Sequence, residues 1–95
     1  MKKFMFLTYG FEKPTPEIMQ AWNKWFQEIG DNILEQGHFP RGKEISDKGA
    51  KELPLAPDSI TGYLLVKAES FEHATKMAET NPYVSSIRLY EIMSG

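Results

Sequence analysis

Apolar residues along the chain follow two spacings, one typical of strands and one typical of helices. Residues 4–9, 60–68 and 86–93 are short, apolar-rich runs with β-branched and aromatic side chains, and each predicts a strand. Gly10 and a polar turn through Pro14 close the first of them. All three strands carry apolar residues at both odd and even positions, so both faces of the resulting sheet are predicted to be apolar.

The first helix is predicted to begin at Thr15. Thr15 can accept a hydrogen bond as the N-cap, Pro16 suits the first helical position, and Glu17 favours the positive end of the helix dipole. The apolar positions that follow at helical spacing are Ile18, Trp22, Trp25, Phe26, Ile29 and Ile33. Because Gly37 is placed to end the helix, we predict a long helix over residues 15–36 with a strongly aromatic face.

The second helix is predicted to begin after Ser70 as the N-cap and to stop before Pro82. Its apolar stripe consists of Phe71, Ala74, Met77 and Ala78. Residues 38–59 are rich in Gly, Pro and charge, and predict only a short strand near residues 43–46 and a loop, LPLAPDS. The order is β-α-β-β-α-β, so the predicted fold class is α+β: a ferredoxin-like, two-layer arrangement of an antiparallel sheet and two helices.

Two helices cover only one face of such a sheet, so the other face would expose a contiguous apolar patch. Packing that face against the same face of a second copy removes the patch and satisfies two-fold symmetry. We therefore predict a homodimer through the sheet face.

Composition narrows the class of protein. The chain has 95 residues, enough for a single domain over 1–95, and 41% hydrophobic and 25% charged residues are ordinary for a soluble globular protein. A net charge of -2 and no basic stripe argue against nucleic acid. The longest apolar run, residues 4–7, is far too short to span a bilayer. The N-terminus begins like a signal peptide, with two lysines and a short apolar stretch, but lacks a long h-region and a small-residue cleavage site. We predict a cytoplasmic protein without a membrane partner, which leaves a small molecule or a protein as the partner.

Few kinds of chemistry have support in the sequence. The absence of cysteine excludes disulfides, thiolate metal sites and thiol catalysis. Two separated histidines and no clustered carboxylates argue against a metal site. No GxSxG, P-loop or GxGxxG pattern occurs, so no metal and no cofactor are predicted.

Several stretches match a known family in order and spacing. They are FMFLTYG, EQGHF, ITGYLLVKAES, MAETNPYV and the closing strand. Together they resemble the YCII-related proteins, including the branch named for an Asp-Gly-Pro-Phe motif. The resemblance implies a dimeric α+β barrel, in which two ferredoxin-like sheets pack face to face. It also implies that enzymatic activity is to be considered, because some members are suspected of catalysis by a His and an Asp in a cleft near the helices.

The chain departs from this family where the suspected chemistry lies. The first helix carries Trp22 and Trp25 but no His, and LPLAPDS stands where the Asp-Gly-Pro-Phe motif would be. Asn81 occupies the position before Pro-Tyr-Val that is often Asp in the family. An amide cannot accept a proton as a carboxylate does, so the family's carboxylate-imidazole pair is not carried over.

The candidate ligand-binding residues are polar or aromatic and lie at or near predicted element ends. They are Tyr9, Trp22, His38, Arg41, Tyr83 and Arg88. His38 is predicted to lie in a loop just past the first helix, where, beside Arg41, it would bind an anion or act as a base. The alternative is a solvated histidine near the helix C-terminus.

The other candidates have equally plain alternatives. Trp22 and Trp25 would line an aromatic pocket, although at this spacing at least one is expected in the core. Tyr9 and Tyr83 stand where loops carry function, with ordinary packing as the alternative. Arg88 shares a strand face with apolar residues and needs a carboxylate partner, which an ion pair within the protein, a second subunit or a ligand would supply.

Three hypotheses of function follow from these observations. The first is a small-molecule-binding dimeric barrel with a cleft formed by Tyr9, Trp22 and His38 between the first helix, the sheet and the middle loop. The second is a cofactor-independent enzyme of the oxygenase, isomerase or lyase type, by analogy of fold. The third is a structural or regulatory dimer without a ligand.

Overall fold

The computed structural model describes residues 1–93, which form two α-helices, six β-strands and one 3-10 turn. In chain order the elements are β1 (Lys2–Tyr9), α1 (Pro16–Ile29), the turn Gly30–Asn32, β2 (Ile33–His38), β3 (Gly42–Ser46), β4 (Gly49–Leu53), β5 (Ile60–Ala68), α2 (Phe71–Glu79) and β6 (Ser86–Ile92). Neither helix has the length and apolar character that crossing a bilayer requires.

The main sheet has four antiparallel strands in the order β2-β5-β1-β6. In its centre Phe6 lies opposite Leu64 on one side and Leu89 on the other. This order, with one helix after β1 and one after β5, is the ferredoxin-like βαββαβ arrangement. The predicted fold class, α+β with an antiparallel sheet and two helices, is confirmed.

The core lies between the sheet and the two helices. The sheet contributes Phe4, Phe6, Leu64, Val66 and Ala68, and the helices contribute Trp25, Ile29, Ala74, Met77 and Ala78. Trp25 joins the two helices: its indole Nε1–H donates to the Met77 carbonyl at 3.0 Å and to Thr80 Oγ1 at 3.1 Å. A large buried ring with a satisfied N–H anchors the helical layer to the sheet.

Both helices begin where the sequence predicts. Thr15 Oγ1 accepts a hydrogen bond from the Ile18 amide at 3.2 Å, and Ser70 Oγ accepts one from the His73 amide at 3.1 Å. Pro16 occupies the first helical position of α1. Local capping chemistry therefore sets the start of both helices.

The end of α1 differs from the prediction. The helix stops at Ile29 rather than at residue 36, and Ile33 begins a strand. Gly30, Asp31 and Asn32 are weak helix formers, and the Asn32 side chain donates to the Lys67 carbonyl at 2.9 Å, which ties the turn to the sheet. The spacing of Ile33 from Ile29 imitates a further helical turn, but its backbone pairs with Val66 instead.

The sequence-based prediction therefore placed the second strand of the main sheet at the wrong residues. The short strand predicted near residues 43–46 exists as β3, but it pairs with β4 in a separate two-stranded sheet and not with the main sheet. We call residues 42–53 the hairpin arm; Lys43 Nζ and Glu52 Oε1 pair across it at 3.1 Å. The radius of gyration is 14.5 Å, against about 12 Å for a compact chain of this length. The projecting arm is consistent with this larger radius.

The centre of the main-sheet face opposite the helices is apolar, as predicted. We call this face the open face; its apolar and aromatic residues are Met5, Leu7, Tyr9, Tyr63, Leu65, Tyr90 and Ile92, and Lys3, Glu35, Lys67 and Arg88 lie on the same face. Met5 lies between Leu65 and Tyr90 on the neighbouring strands, and Leu7 lies between Tyr63 and Arg88. The burial pattern of β1 alternates between buried and half-buried positions, so this side of the sheet is only partly covered within residues 1–93.

Candidate functional site

A cavity of about 480 Å³ opens between α1, the end of the main sheet and the loop that follows the hairpin arm. We call it the cleft. Its walls are mostly apolar or aromatic and include Phe11, Ile18, Met19, Trp22, Phe26, Phe39, Leu55, Leu64 and Val84. This volume lies in the usual range for small-molecule sites, which are predominantly apolar with a few polar groups.

The sheet forms the floor of the cleft with small residues whose polar groups are already paired. Thr8 Oγ1 donates to the Gly62 carbonyl at 3.4 Å, and Thr61 Oγ1 donates to the Gly10 carbonyl at 3.0 Å. A Cβ added at Gly62 would lie 3.1 Å from the Gly37 carbonyl oxygen, so glycine permits a close approach of the strands. The two threonine hydroxyls of the floor are therefore paired within the protein.

Trp22 and Trp25, although close in sequence, have different environments. Trp25 is only 2% exposed and belongs to the core, which confirms the expectation that one of the two is structural. Trp22 is half-buried and lines the cleft, with its ring 5.7 Å from Phe26 and 5.8 Å from Trp25 between centroids. Trp22 is thus an aromatic wall of the cleft, held in place by rings behind it.

His38 lies at the mouth of the cleft, but not where the sequence predicts. It is the last residue of β2, opposite Gly62, rather than part of a loop after the helix. Its side chain is exposed and lines the cleft next to Phe39, whose ring stacks on Tyr63 at 5.4 Å with an angle of 12°. Strand pairing therefore fixes the backbone of His38, which a loop would not.

The remaining candidates lie elsewhere. Arg41 is exposed and outside the cleft lining, and Tyr83, 46% exposed, lines a second and smaller depression between α2 and β6. Tyr9 and Arg88 lie together on the open face, with the guanidinium carbon 4.6 Å from the Tyr9 ring centroid. Of the three residues expected to form the cleft, the structure brings together Trp22 and His38 and places Tyr9 on the opposite face of the sheet.

Arg88 has an aromatic neighbour rather than the expected ion pair. Among residues 1–93 the ion pairs are Lys2 with Glu91 and Lys43 with Glu52, and neither involves Arg88. A carboxylate from a second subunit or a ligand remains a prediction.

Asn81 is buried at 4% exposure, and its carboxamide has no hydrogen-bond partner within the described part of the chain. It is not among the residues that line the cleft.

Several cleft residues were missed by the sequence reasoning, and simple periodicity would have found some of them. Thr8 shares the strand parity of Phe4 and Phe6, which places it on the helix side, whereas Tyr9 has the opposite parity. Ile18 and Phe26 lie four residues before and after Trp22 and share its helix face. The contributions of Phe11 and Leu55 depend on how loops fold back, which no local pattern indicates.

One hydrogen bond on the sheet gives a titration that can be measured. Tyr63 Oη donates to Glu35 Oε2 at 2.8 Å, and this bond raises the pKa of Tyr63 above its ordinary value of 10.0, with smaller contributions from desolvation and from the negative charge of Glu35. Because the pKa of Tyr63 is raised in the folded state, the stabilisation of the fold by the Tyr63–Glu35 hydrogen bond is fully present below pH 10.0. This stabilisation is lost as pH rises through the pKa of Tyr63 in the folded protein.

We therefore expect one tyrosine of the folded protein to titrate late in ultraviolet difference spectra. Glu35→Gln should bring that titration back towards the ordinary value, and Tyr63→Phe should remove it. Tyr83→Phe, a change at an exposed position outside the open face, is the control and should leave it in place. A late titration that survives Glu35→Gln would contradict this assignment.

Comparisons with known proteins establish the fold but not a family. No family model matches the sequence, and no curated protein matches it significantly. Among solved structures, the chain is similar to the 5-chloro-2-hydroxyhydroquinone dehydrochlorinase TftG from Burkholderia phenoliruptrix AC1100 in complex with 2,5-dihydroxybenzoquinone. The TM-score is 0.61 at 15% identity, covering 98% of this chain and 95% of that chain. The chain therefore shares the α+β fold of that protein.

Proposed function

We propose that this protein binds a small, largely apolar molecule in the cleft. The observation that carries the proposal is a cavity of about 480 Å³ with aromatic walls and a floor whose two threonine hydroxyls are already paired. A filled interior, as a purely structural dimer would have, leaves no such space. The similar dehydrochlorinase structure holds a small ring compound, which supports the same use of this fold.

In this proposal two side chains act on the ligand directly. Trp22 offers a ring face backed by Phe26 and packs against an apolar surface of the ligand. His38, exposed at the mouth, supplies a hydrogen bond that orients the ligand's polar end.

A ligand screen by thermal shift, followed by calorimetry, tests this function. We expect hits to bind Trp22→Ala and His38→Ala at least about tenfold more weakly, which corresponds to about 1.4 kcal/mol. Tyr83→Ala removes an equally aromatic side chain outside the cleft and is the matched control. Hits that stabilise all four proteins equally would place the binding site elsewhere, and the proposal would fail.

We further propose that the protein is a homodimer joined through its open face. The monomer exposes 6949 Å², against about 5,600 Å² for a compact monomer of its mass. The centre of the open face is apolar, and a two-fold axis would bury the same residues of both copies. Membership of the YCII-related proteins and a cytoplasmic location stay proposals that rest on the sequence alone.

The second candidate function is a cofactor-independent enzyme. It is favoured by one arrangement: His38 and Glu12 both belong to the lining of the cleft, so an imidazole and a carboxylate border the same cavity. The similar structure belongs to a dehydrochlorinase, which is consistent with proton transfer in this fold. An enzyme would lose turnover in His38→Ala while Trp22 still holds the substrate, whereas a binding protein would lose affinity only.

A further inference from the structure

We propose that the cleft selects an uncharged, planar aromatic molecule and rejects the carboxylate or phosphate form of the same ring. This inference rests on the proposed ligand-binding function and specifies its ligand class. It departs from the anion site that the sequence suggested for His38 and Arg41.

The cleft lining contains no positively charged Lys or Arg side chain, which disfavours an anionic ligand. The chain contains 11 lysines and arginines, yet none of them is among the residues that line the cleft. Glu12 is the single Asp, Glu, Lys or Arg in that lining, and Arg41 lies outside it. An anion entering the cleft would thus meet a carboxylate and no cation.

Two backbone amides and two hydroxyls of the cleft lining are already engaged in hydrogen bonds within the protein. An anion can be held by free N–H groups, but two amides at the cleft already have partners: the Gly10 N–H donates to the Ser59 carbonyl at 2.8 Å and the Phe39 N–H to the Thr61 carbonyl at 3.0 Å. The hydroxyls of Thr8 and Thr61 are likewise donated to carbonyls. The remaining donors of the lining include the neutral side-chain amides of Asn23 and Gln36, so an anion would exchange its hydration for hydrogen bonds without meeting a fixed positive charge, which is costly.

The shape of the cleft favours a planar aromatic ligand. Trp22 and Phe26 provide ring faces inclined at 37°, and the floor beneath them has small side chains and Gly62. Flat aromatic surfaces pack well on such walls. A cavity of about 150 Å³ already holds benzene, so about 480 Å³ has room for one or two substituted rings. Glu12 and His38 then accept hydrogen bonds from a ligand hydroxyl.

Calorimetry with 2-naphthol and 2-naphthoate tests the inference, because the two compounds share a ring system and differ in charge. The titrations are made at pH 8, where histidine side chains generally carry no charge. We expect 2-naphthol to bind at least about tenfold more tightly than 2-naphthoate. Equal or tighter binding of 2-naphthoate overturns the inference and leaves the proposed function standing. Binding of neither compound overturns the proposed function, and the inference with it.

A charge reversal in the cleft sharpens the test. Glu12→Lys should shift the ratio of the two affinities towards 2-naphthoate by at least about tenfold, since it replaces the anionic group of the lining with a cation. Glu79→Lys changes the net charge equally but lies on α2, outside the cleft, and should leave the ratio unchanged. If Glu12→Lys leaves the ratio of the two affinities unchanged, or if both variants change it equally, the selectivity does not originate in the cleft and the inference is overturned.

Discussion

Replacing Trp25 by alanine is expected to lower the free energy of unfolding by about 3–5 kcal/mol, a large part of the stability of a domain of this size. Trp25 is 2% exposed and packs within the core between sheet and helices. Its indole N–H also donates to the Met77 carbonyl and to Thr80 Oγ1. Removing the ring leaves a cavity and detaches α1 from the end of α2.

Urea denaturation followed by far-ultraviolet circular dichroism, at one fixed protomer concentration, measures this loss. Trp25→Phe is the matched variant: it keeps a ring in the core but removes the N–H donor, and its loss should be smaller, about 1–2 kcal/mol. The Met77 carbonyl keeps the hydroxyl of Thr80 as a donor at 3.0 Å, which limits that loss. A change below about 1 kcal/mol for Trp25→Ala would show that the ring does not anchor the helical layer.

Introducing a charge at Met5 is expected to convert the proposed dimer to a monomer. Met5 is half-buried on β1 between Leu65 and Tyr90, near the middle of the open face. Met5→Lys would place an ammonium without a partner in the interface twice, once from each subunit. Each buried unpaired charge costs several kcal/mol, so the dimer dissociation constant should rise by about a thousandfold or more.

Sedimentation velocity between micromolar and hundred-micromolar protein measures that constant. Ala21→Lys adds the same charge at an exposed position on α1, away from the open face, and should leave the dimer intact. Circular dichroism of Met5→Lys shows whether the variant stays folded. A wild-type protein that is monomeric throughout this range, or a Met5→Lys protein that stays dimeric, would refute the proposed interface.

Local patterns predicted those parts of the fold that local chemistry determines. Thr15 and Ser70 are caps that act within one turn, so the helix starts were readable from the sequence. The end of α1 was not readable from the sequence, because Ile33 continues the helical spacing although its backbone pairs with Val66 on β5, far along the chain. Competition between a local and a distant backbone partner leaves no signal in one sequence.

The same distinction applies to the candidate site. Trp22 was identified from its helix face, and His38 from its place just past the predicted end of the first helix, and both line the cleft. Tyr9 was placed in the cleft although strand alternation sends it to the face opposite Thr8. The absence of cations from the lining depends on the packing of loops around Phe11 and Leu55, and only the three-dimensional arrangement shows it.

The hairpin arm borders the entrance of the cleft but takes no part in the hydrogen-bond ladder of the main sheet. The strands on either side of it remain joined beyond its base, since His38 lies opposite Gly62 and the Phe39 amide bonds to the Thr61 carbonyl. Residues at its two roots, Phe39 and Leu55, line the mouth of the cleft. Changes in the length or sequence of the arm therefore leave the sheet ladder intact while reshaping the entrance. We therefore expect variation in the arm to alter the entrance of the proposed ligand site more than the stability of the fold.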